Sequence, residues 1–167
     1  MEIFLWRHAD ALPGAPDFAR ELSPRGHQQA QKVAAWLSGR APADLRFLVS
    51  PATRTRQTVA YFHGDEGGIQ FCPQLYDGSS PEEILGILGW PYISMPTLIV
   101  GHQPLIGALA ERLLSGSPCP RPFRKSALWW LRAEPGQGSM QLVQVVDGDM
   151  LEQETSHKVA HVEKGSK

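Results

Sequence analysis

The sequence predicts an α/β protein, a three-layer sandwich in which a mostly parallel central sheet is flanked by helices. Three observations carry that expectation. Largely apolar runs at Ile3 to Trp6, Leu45 to Val49 and Thr97 to Val100 do not alternate with polar residues, as in strands buried on both faces. Each run leads, directly or through a loop, into a segment with apolar residues at helical spacing. The junctions Ser23-Pro24, Ser50-Pro51 and Gly101-His102-Gln103-Pro104 carry helix-start or turn chemistry. Strands alternating with helices are the pattern of a sheet covered on both sides.

In chain order, the Ile3 to Trp6 strand is followed by a loop from Ala9 to Leu22 containing Pro13, Gly14 and Pro16. Ser23 then supplies an N-cap and Pro24 a first-turn proline. Ala30, Val33, Ala34 and Leu37 line one face of the helix that follows, and Gly39 ends it. The strand from Leu45 to Val49 runs into a helix over about Ala52 to Phe62, with Ser50 expected as its N-cap. Residues 64 to 96 hold six glycines and four prolines, which predicts loop plus one short helix at Pro81 to Leu88 and a turn at Trp90-Pro91-Tyr92. After the strand from Thr97 to Val100, Leu105, Ile106, Leu109 and Leu113 mark another helix. Runs at Ala127 to Leu131 and Leu142 to Val146 predict two closing strands.

A chain of 167 residues, 42% hydrophobic and 20% charged, suits one domain, expected over residues 1–151, with a polar, flexible tail over 152–167. The net charge of -1 provides no global positive field for nucleic acid or an anionic membrane. Apolar stretches fall well short of the roughly 20 residues needed to cross a bilayer, and no export signal is read at the N-terminus. Cys72 and Cys119, 47 residues apart, match neither a redox pair nor a zinc pattern, so a cytoplasmic, reducing setting is expected. Of the 16 positive residues, 11 are Arg, whose planar fork suits phosphate and carboxylate.

In open α/β sheets, ligands bind outside the carboxyl ends of the strands. Those ends deliver Arg7-His8, then Ser50 with Arg54 one turn into the next helix, then His102. Two histidines and two arginines at one edge, with helix N-termini beside them, make a cationic pocket whose natural guest is a phosphoryl group.

The segments Leu5-Trp6-Arg7-His8-Ala9-Asp10-Ala11, Ser50-Pro51-Ala52-Thr53-Arg54-Thr55-Arg56-Gln57-Thr58 and Val100-Gly101-His102-Gln103-Pro104 resemble, in type and in order, the motifs of the histidine phosphatase superfamily, with its phosphoglycerate mutase-like fold. The short length and the Arg-His-Ala-Asp-Ala and Gly-His-Gln-Pro forms look like the branch of small phosphohistidine phosphatases that act on phosphorelay proteins. The resemblance spans roughly residues 1 to 146. It implies that His8 is the nucleophile, that Arg7, Arg54 and His102 bind the phosphoryl oxygens, and that water then hydrolyses the phosphohistidine formed on His8. It implies a phosphohistidine-bearing partner protein, such as a phosphotransfer domain, and no metal or other cofactor. Arg20, before a Leu-Ser helix start, is a further candidate phosphate ligand. The physical reading agrees, since Arg forks and imidazole donors stabilise charge spreading over a transferring phosphoryl group. Attack requires a neutral His8, and cationic Arg7, Arg54 and His102 are expected to lower its pKa.

The general acid is less defined. Family members acting on phosphate esters carry a carboxylate after the central strand, and the nearest counterpart here, Gln74-Leu75-Tyr76-Asp77, has Gln where Glu is expected. Asp77 is the first candidate, ahead of Glu82 and Glu83. A labile P–N bond needs less acid help than an ester, so a weak acid motif favours phosphohistidine. The alternatives are a small-molecule phosphomonoesterase of the same superfamily, a catalytically silent phosphate-binding module and, further off, a mutase. The short 64 to 96 region leaves little chain for a substrate-covering cap. His27, His63, His157 and His161 have no partner pattern and read as solvated. Arg56 reads as helix surface, and Arg121, Arg124 and Lys125 as a solvated loop or a dock for an acidic partner.

Overall fold

The computed structural model describes residues 1–151 apart from 77, 118 and 135, so the expected tail and Asp77 lie outside the described residues. Six strands form one sheet: β1 (Glu2–Arg7), β2 (Arg46–Val49), β3 (Ile69–Phe71), β4 (Thr97–Gly101), β5 (Leu128–Arg132) and β6 (Gln141–Val146), in the order β3-β2-β4-β1-β5-β6. The first four are parallel; β5 and β6 are antiparallel additions at one edge. The helices α1 (Pro24–Ser38), α2 (Thr53–His63), α3 (Pro81–Leu88) and α4 (Leu105–Ser115) cover it. The predicted α/β sandwich with a mostly parallel sheet is the observed fold.

The layers follow from the two-residue period of the strands. Along β1, Phe4 and Trp6 join Leu98 and Val100 of β4 beneath Ala30, Val33, Ala34 and Leu37 of α1 and Val59 of α2. Ile3 and Leu5 point the other way, onto Ile84 and Leu88 of α3 and Ile106, Leu109 and Leu113 of α4. All four of these β1 residues are fully buried, which is why the strand reads as an unbroken apolar run. At Trp129-Trp130 on β5 the same alternation sends Trp129 to Phe123, stacked at 4.5 Å, and Trp130 to Phe4 at 5.5 Å.

Helix starts behave largely as their chemistry dictates. Ser23 caps α1 by accepting from the Gly26 amide, and Ser80 caps α3 by accepting from the Glu83 amide. Gly26 is required by contact: a Cβ there would lie 1.9 Å from the Asp10 carbonyl oxygen, so α1 can approach the chain after β1 only without a side chain.

Two expectations are corrected. Residues 64–96 contain a strand as well as the helix: β3 pairs with β2 through Phe47↔Ile69 to Val49↔Phe71. Three residues are too few to show a period, and as the sheet edge β3 is not fully buried. Ser50 is not the cap of α2; Ala52 holds that position, with no side-chain capping bond. The chain needs two more residues to turn from β2 into the helix, and Thr55 accounts for part of the turn by donating its hydroxyl to the Ser50 and Ala52 carbonyls.

Between β1 and α1 the chain makes an excursion closed by an Ala11↔Leu22 bridge and by the Leu12 amide donating to the Glu21 carbonyl. Its tip holds one 3-10 turn, Asp17–Ala19. Gln57 of α2 anchors its far end by accepting from the Leu22 amide at 2.7 Å.

Candidate active site

The ends of β1, β2 and β4 are laced together by the ladder itself. The His8 amide donates to the Gly101 carbonyl and the Ser50 amide to the Val100 carbonyl. His8, Ser50 and His102 are thereby fixed at one sheet edge, and Arg54 enters from the first turn of α2.

His8 is 6% exposed. Its Nδ1 lies 2.8 Å from the Ala9 carbonyl oxygen, which can only accept, so Nδ1 carries the proton and Nε2 presents a bare lone pair. Arg54, 5% exposed, donates from Nε towards that lone pair at 3.4 Å. Its Nη2 also donates to Nδ1 of His102 at 3.2 Å, leaving the His102 proton on Nε2, where it faces Ser50 Oγ at 2.8 Å. The two imidazole rings stand 4.9 Å apart, tilted by 53°. Thr58 steadies both sides of the pair, accepting from the Ala9 amide and donating to the Arg54 carbonyl.

Burial is the main reason the His8 pKa falls from 6.5 to about 2; the charges of His102, Arg54 and Lys125 push the same way, while the bond to the Ala9 carbonyl opposes them. His102 is lowered to about 4, again chiefly by burial and then by Arg54. The predicted neutral His8 is therefore present, but desolvation outweighs the cationic neighbours, and Lys125 acts where Arg7 was expected.

Arg7 donates from Nη1 to the Phe123 carbonyl at 2.5 Å, and its Nε is buried without a partner among the described residues. Its charge is felt at His102. Arg20 does not contact His8: it donates to the Leu12 carbonyl and to Asp17 Oδ1, and reaches Arg54 only through Asp17. Glu82 pairs with Arg112 of α4 at 2.8 Å, which takes it away from the strand ends. Gln74, at the position of the missing Glu, accepts from the Cys72 thiol.

Sequence reasoning missed Asp17. From the tip of the excursion its carbonyl accepts from Arg54 Nη1 at 2.7 Å and its Oδ2 from Arg54 Nη2 at 2.9 Å. Tyr76 donates its hydroxyl to the same Oδ2 at 3.2 Å. Phe18 lies edge-on to Tyr76 at 5.2 Å, and Tyr76 edge-on to His102 at 5.5 Å. The only sequence signal was an acid three residues before Arg20, in Asp17-Phe18-Ala19-Arg20.

The other loop residues are engaged. Arg121 pairs with Glu111, Arg124 with Asp147 at 3.4 Å and Lys125 with Asp10 at 3.5 Å. His63 is half-buried with its ring 4.3 Å from Phe47, and His27 accepts or shares a proton with the Tyr61 hydroxyl at 3.0 Å, so neither is simply solvated. His157 and His161 lie outside the described residues. Arg56 pairs with Glu66 on the outer side of α2.

Residues 3–76 match the model of the histidine phosphatase superfamily, branch 1. The chain is 31% identical over 136 residues to the phosphohistidine phosphatase SixA of Escherichia coli, covering 77% of this chain and 83% of that one. It belongs to the histidine phosphatase superfamily. Within that superfamily it falls in the SixA-like branch, and it is a phosphatase. An uncharacterised protein of Mycobacterium tuberculosis is 38% identical over 112 residues, 65% of this chain and 70% of its own length. The solved structure of the protein histidine phosphatase SixA complexed with tungstate superposes with a TM-score of 0.78 at 26% identity, over 89% of this chain and 98% of that chain. The alpha-ribazole phosphatase from Shigella flexneri shares the fold, with a TM-score of 0.62 at 16% identity over 88% of this chain and 96% of that one. No helix among the described residues is long and apolar enough to cross a membrane.

Proposed function

We propose that the protein is a phosphohistidine protein phosphatase that works through a covalent phosphohistidine on His8. The observation that carries this reading is the unprotonated Nε2 of a buried His8, held by the Ala9 carbonyl and facing the Arg54 guanidinium. In the first step the Nε2 lone pair forms a bond to phosphorus while the P–N bond to the substrate imidazole breaks, its electron pair going to the leaving nitrogen. Arg54, His102 and Arg7 hold the phosphoryl oxygens, where negative charge grows. In the second step water attacks the phosphohistidine, the bond to Nε2 breaks and inorganic phosphate leaves.

Two features support a protein-borne phosphoramidate as substrate. The position of the usual carboxylic acid is Gln74, turned to Cys72, and a P–N bond is the kind that requires least acid assistance. Among its described residues, the chain between β3 and β4 holds a 3-10 turn, Pro73–Leu75, and one short α-helix, α3, packed on α4, and no cap domain. The partner on this reading is a phosphohistidine-bearing protein such as a phosphotransfer domain, and the setting is cytoplasmic.

Exposure to a labile phosphodonor, followed by rapid quench and mapping, is expected to label His8, with labelling lost in His8→Ala. Label on another residue, or phosphate binding with no label, points to a silent binding module. Higher turnover of small phosphate esters than of phosphohistidine proteins points to a phosphomonoesterase.

A further inference from the structure

Asp17 takes the two Arg54 donors other than the one that faces His8. Along the guanidinium, Nε faces His8 Nε2, whereas Nη1 donates to the Asp17 carbonyl and Nη2 to the Asp17 carboxylate as well as to His102 Nδ1. Asp17 is held there from two further sides, by Arg20 on Oδ1 and by the Tyr76 hydroxyl on Oδ2. Its side chain is 52% exposed, while that of Arg54 is 7% exposed. The buried cation is thus covered on its open side by a surface anion.

A phosphoryl group entering this site meets Arg54 with Asp17 already on it. In-line transfer puts the entering and leaving atoms on opposite sides of phosphorus. With His8 at one end of the guanidinium, the leaving group belongs at the Asp17 end. At that end an ester gathers negative charge on its leaving oxygen as the P–O bond breaks, and free phosphate brings its own negative charge; like charges at close range repel. A phosphohistidine ring protonated on its remote nitrogen brings a cation instead. When its P–N bond breaks, the electron pair goes to the bonded nitrogen and the ring departs as neutral imidazole with the remote proton still attached, so no acid need protonate the leaving atom. The edge-on Phe18 and Tyr76 rings offer that planar cation an aromatic wall.

We infer that Asp17 is the charge-selecting residue of this site: it disfavours free phosphate and dianionic esters at Arg54 and favours a phosphoryl group carried by a protonated imidazole. The inference rests on the proposed substrate class and adds to it the residue that does the selecting.

The test is Asp17→Asn, which keeps the shape and removes the charge. Three quantities are measured in wild type and variant: inhibition by inorganic phosphate, kcat/KM on a phosphohistidine peptide and kcat/KM on an aryl phosphate. Removing one exposed ion pair from Arg54 should tighten phosphate roughly fivefold. The preference for the peptide over the aryl ester should fall about tenfold, because a favourable charge contact is lost on one substrate and a repulsion is relieved on the other. Phosphate binding that is unchanged or weaker, with both substrates losing rate in parallel, overturns the inference and makes Asp17 a positioning residue for Arg54. Tighter phosphate with an unchanged substrate ratio overturns the leaving-group half. If the wild type turns over no phosphohistidine peptide, the proposed substrate class fails, and phosphate inhibition by itself decides whether Asp17 screens Arg54.

Discussion

Ser50 Oγ lies 2.8 Å from Nε2 of His102 and is the hydrogen-bond partner of that nitrogen in the free protein. Because Nδ1 accepts from Arg54, the proton resides on Nε2 and the serine is its acceptor. Ser50→Ala removes that acceptor and leaves a mostly buried N–H unsatisfied, at a cost of about 1–3 kcal/mol. The ring is expected to rotate or change tautomer, and kcat/KM to fall roughly tenfold, with Ser50→Thr retaining most of the activity. Wild-type kinetics in Ser50→Ala would show that the contact does not orient His102.

Arg54→Lys keeps the charge but offers a single point donor in place of a planar fork. It cannot face His8, His102 and a phosphoryl oxygen at once. A loss of about 10²–10³ in kcat is expected, the size usual for removing a fixed donor from a developing oxyanion. Phosphate release under saturating substrate measures it, and a loss below threefold would mean that the fork geometry is not used.

Stability should fall on acidification in a defined window. The folded pKa values of His8 and His102 are lowered to about 2 and about 4, whereas the unfolded chain titrates near 6.5. Below about pH 6.5 the unfolded state therefore binds more protons than the native state. The contribution of neutral His8 and His102 is complete above pH 6.5 and is lost as pH falls from there towards 4, that of His8 continuing to fall beyond. Urea unfolding between pH 7.5 and 4.5 should show uptake of about two protons, each worth about 1.4 kcal/mol per pH unit. A flat profile over that range would mean that both histidines titrate in the native protein as they do in the unfolded chain.

Phosphate bound between Arg54 and His102 should reverse part of this shift. An anion beside His102 favours its charged form, so its pKa should rise from about 4 by about one unit or more. Imidazole NMR titrations with and without inorganic phosphate read this directly, and an unmoved His102 would remove it from the set of oxygen ligands.

Gly26→Ala probes the backbone support of the site. The new Cβ would meet the Asp10 carbonyl at 1.9 Å, a backbone atom that cannot rotate away. A destabilisation of about 2–3 kcal/mol is expected by urea denaturation, since α1 or the chain after His8 must move.

The parts of the molecule legible in the sequence are those in which local pattern and tertiary environment agree. Both faces of β1 and β4 are covered, so an unbroken apolar run betrays them, and the strand-end rule then points to Arg7-His8, Ser50 and His102, with Arg54 one turn into the next helix. Short edge structure was not legible, because the three residues of β3 have neither period nor burial to declare them. Ser50 misled because a Ser-Pro pair resembles a helix start whether or not the serine takes the cap. Asp17 was hidden for a different reason: its meeting with Arg54 depends on the path of a loop, held by Ala11↔Leu22 and by Gln57, and no repeat in the sequence encodes that path. The cause of the His8 shift was also misjudged, because burial is a property of the assembled site, whereas neighbouring arginines can be read from spacing.

The excursion from Leu12 to Glu21 is fastened at its base and otherwise lies outside the two cores, while His8 extends a strand that belongs to both. The His8 amide, bonded to the Gly101 carbonyl, can be freed only by opening the sheet, so it should exchange with solvent only on global unfolding, whereas those at the tip of the excursion should exchange through small local openings. One half of the site is therefore as durable as the protein itself, and the other can be rewritten. If Asp17 selects the substrate as inferred, substituting the tip redirects what is accepted without touching how it is attacked.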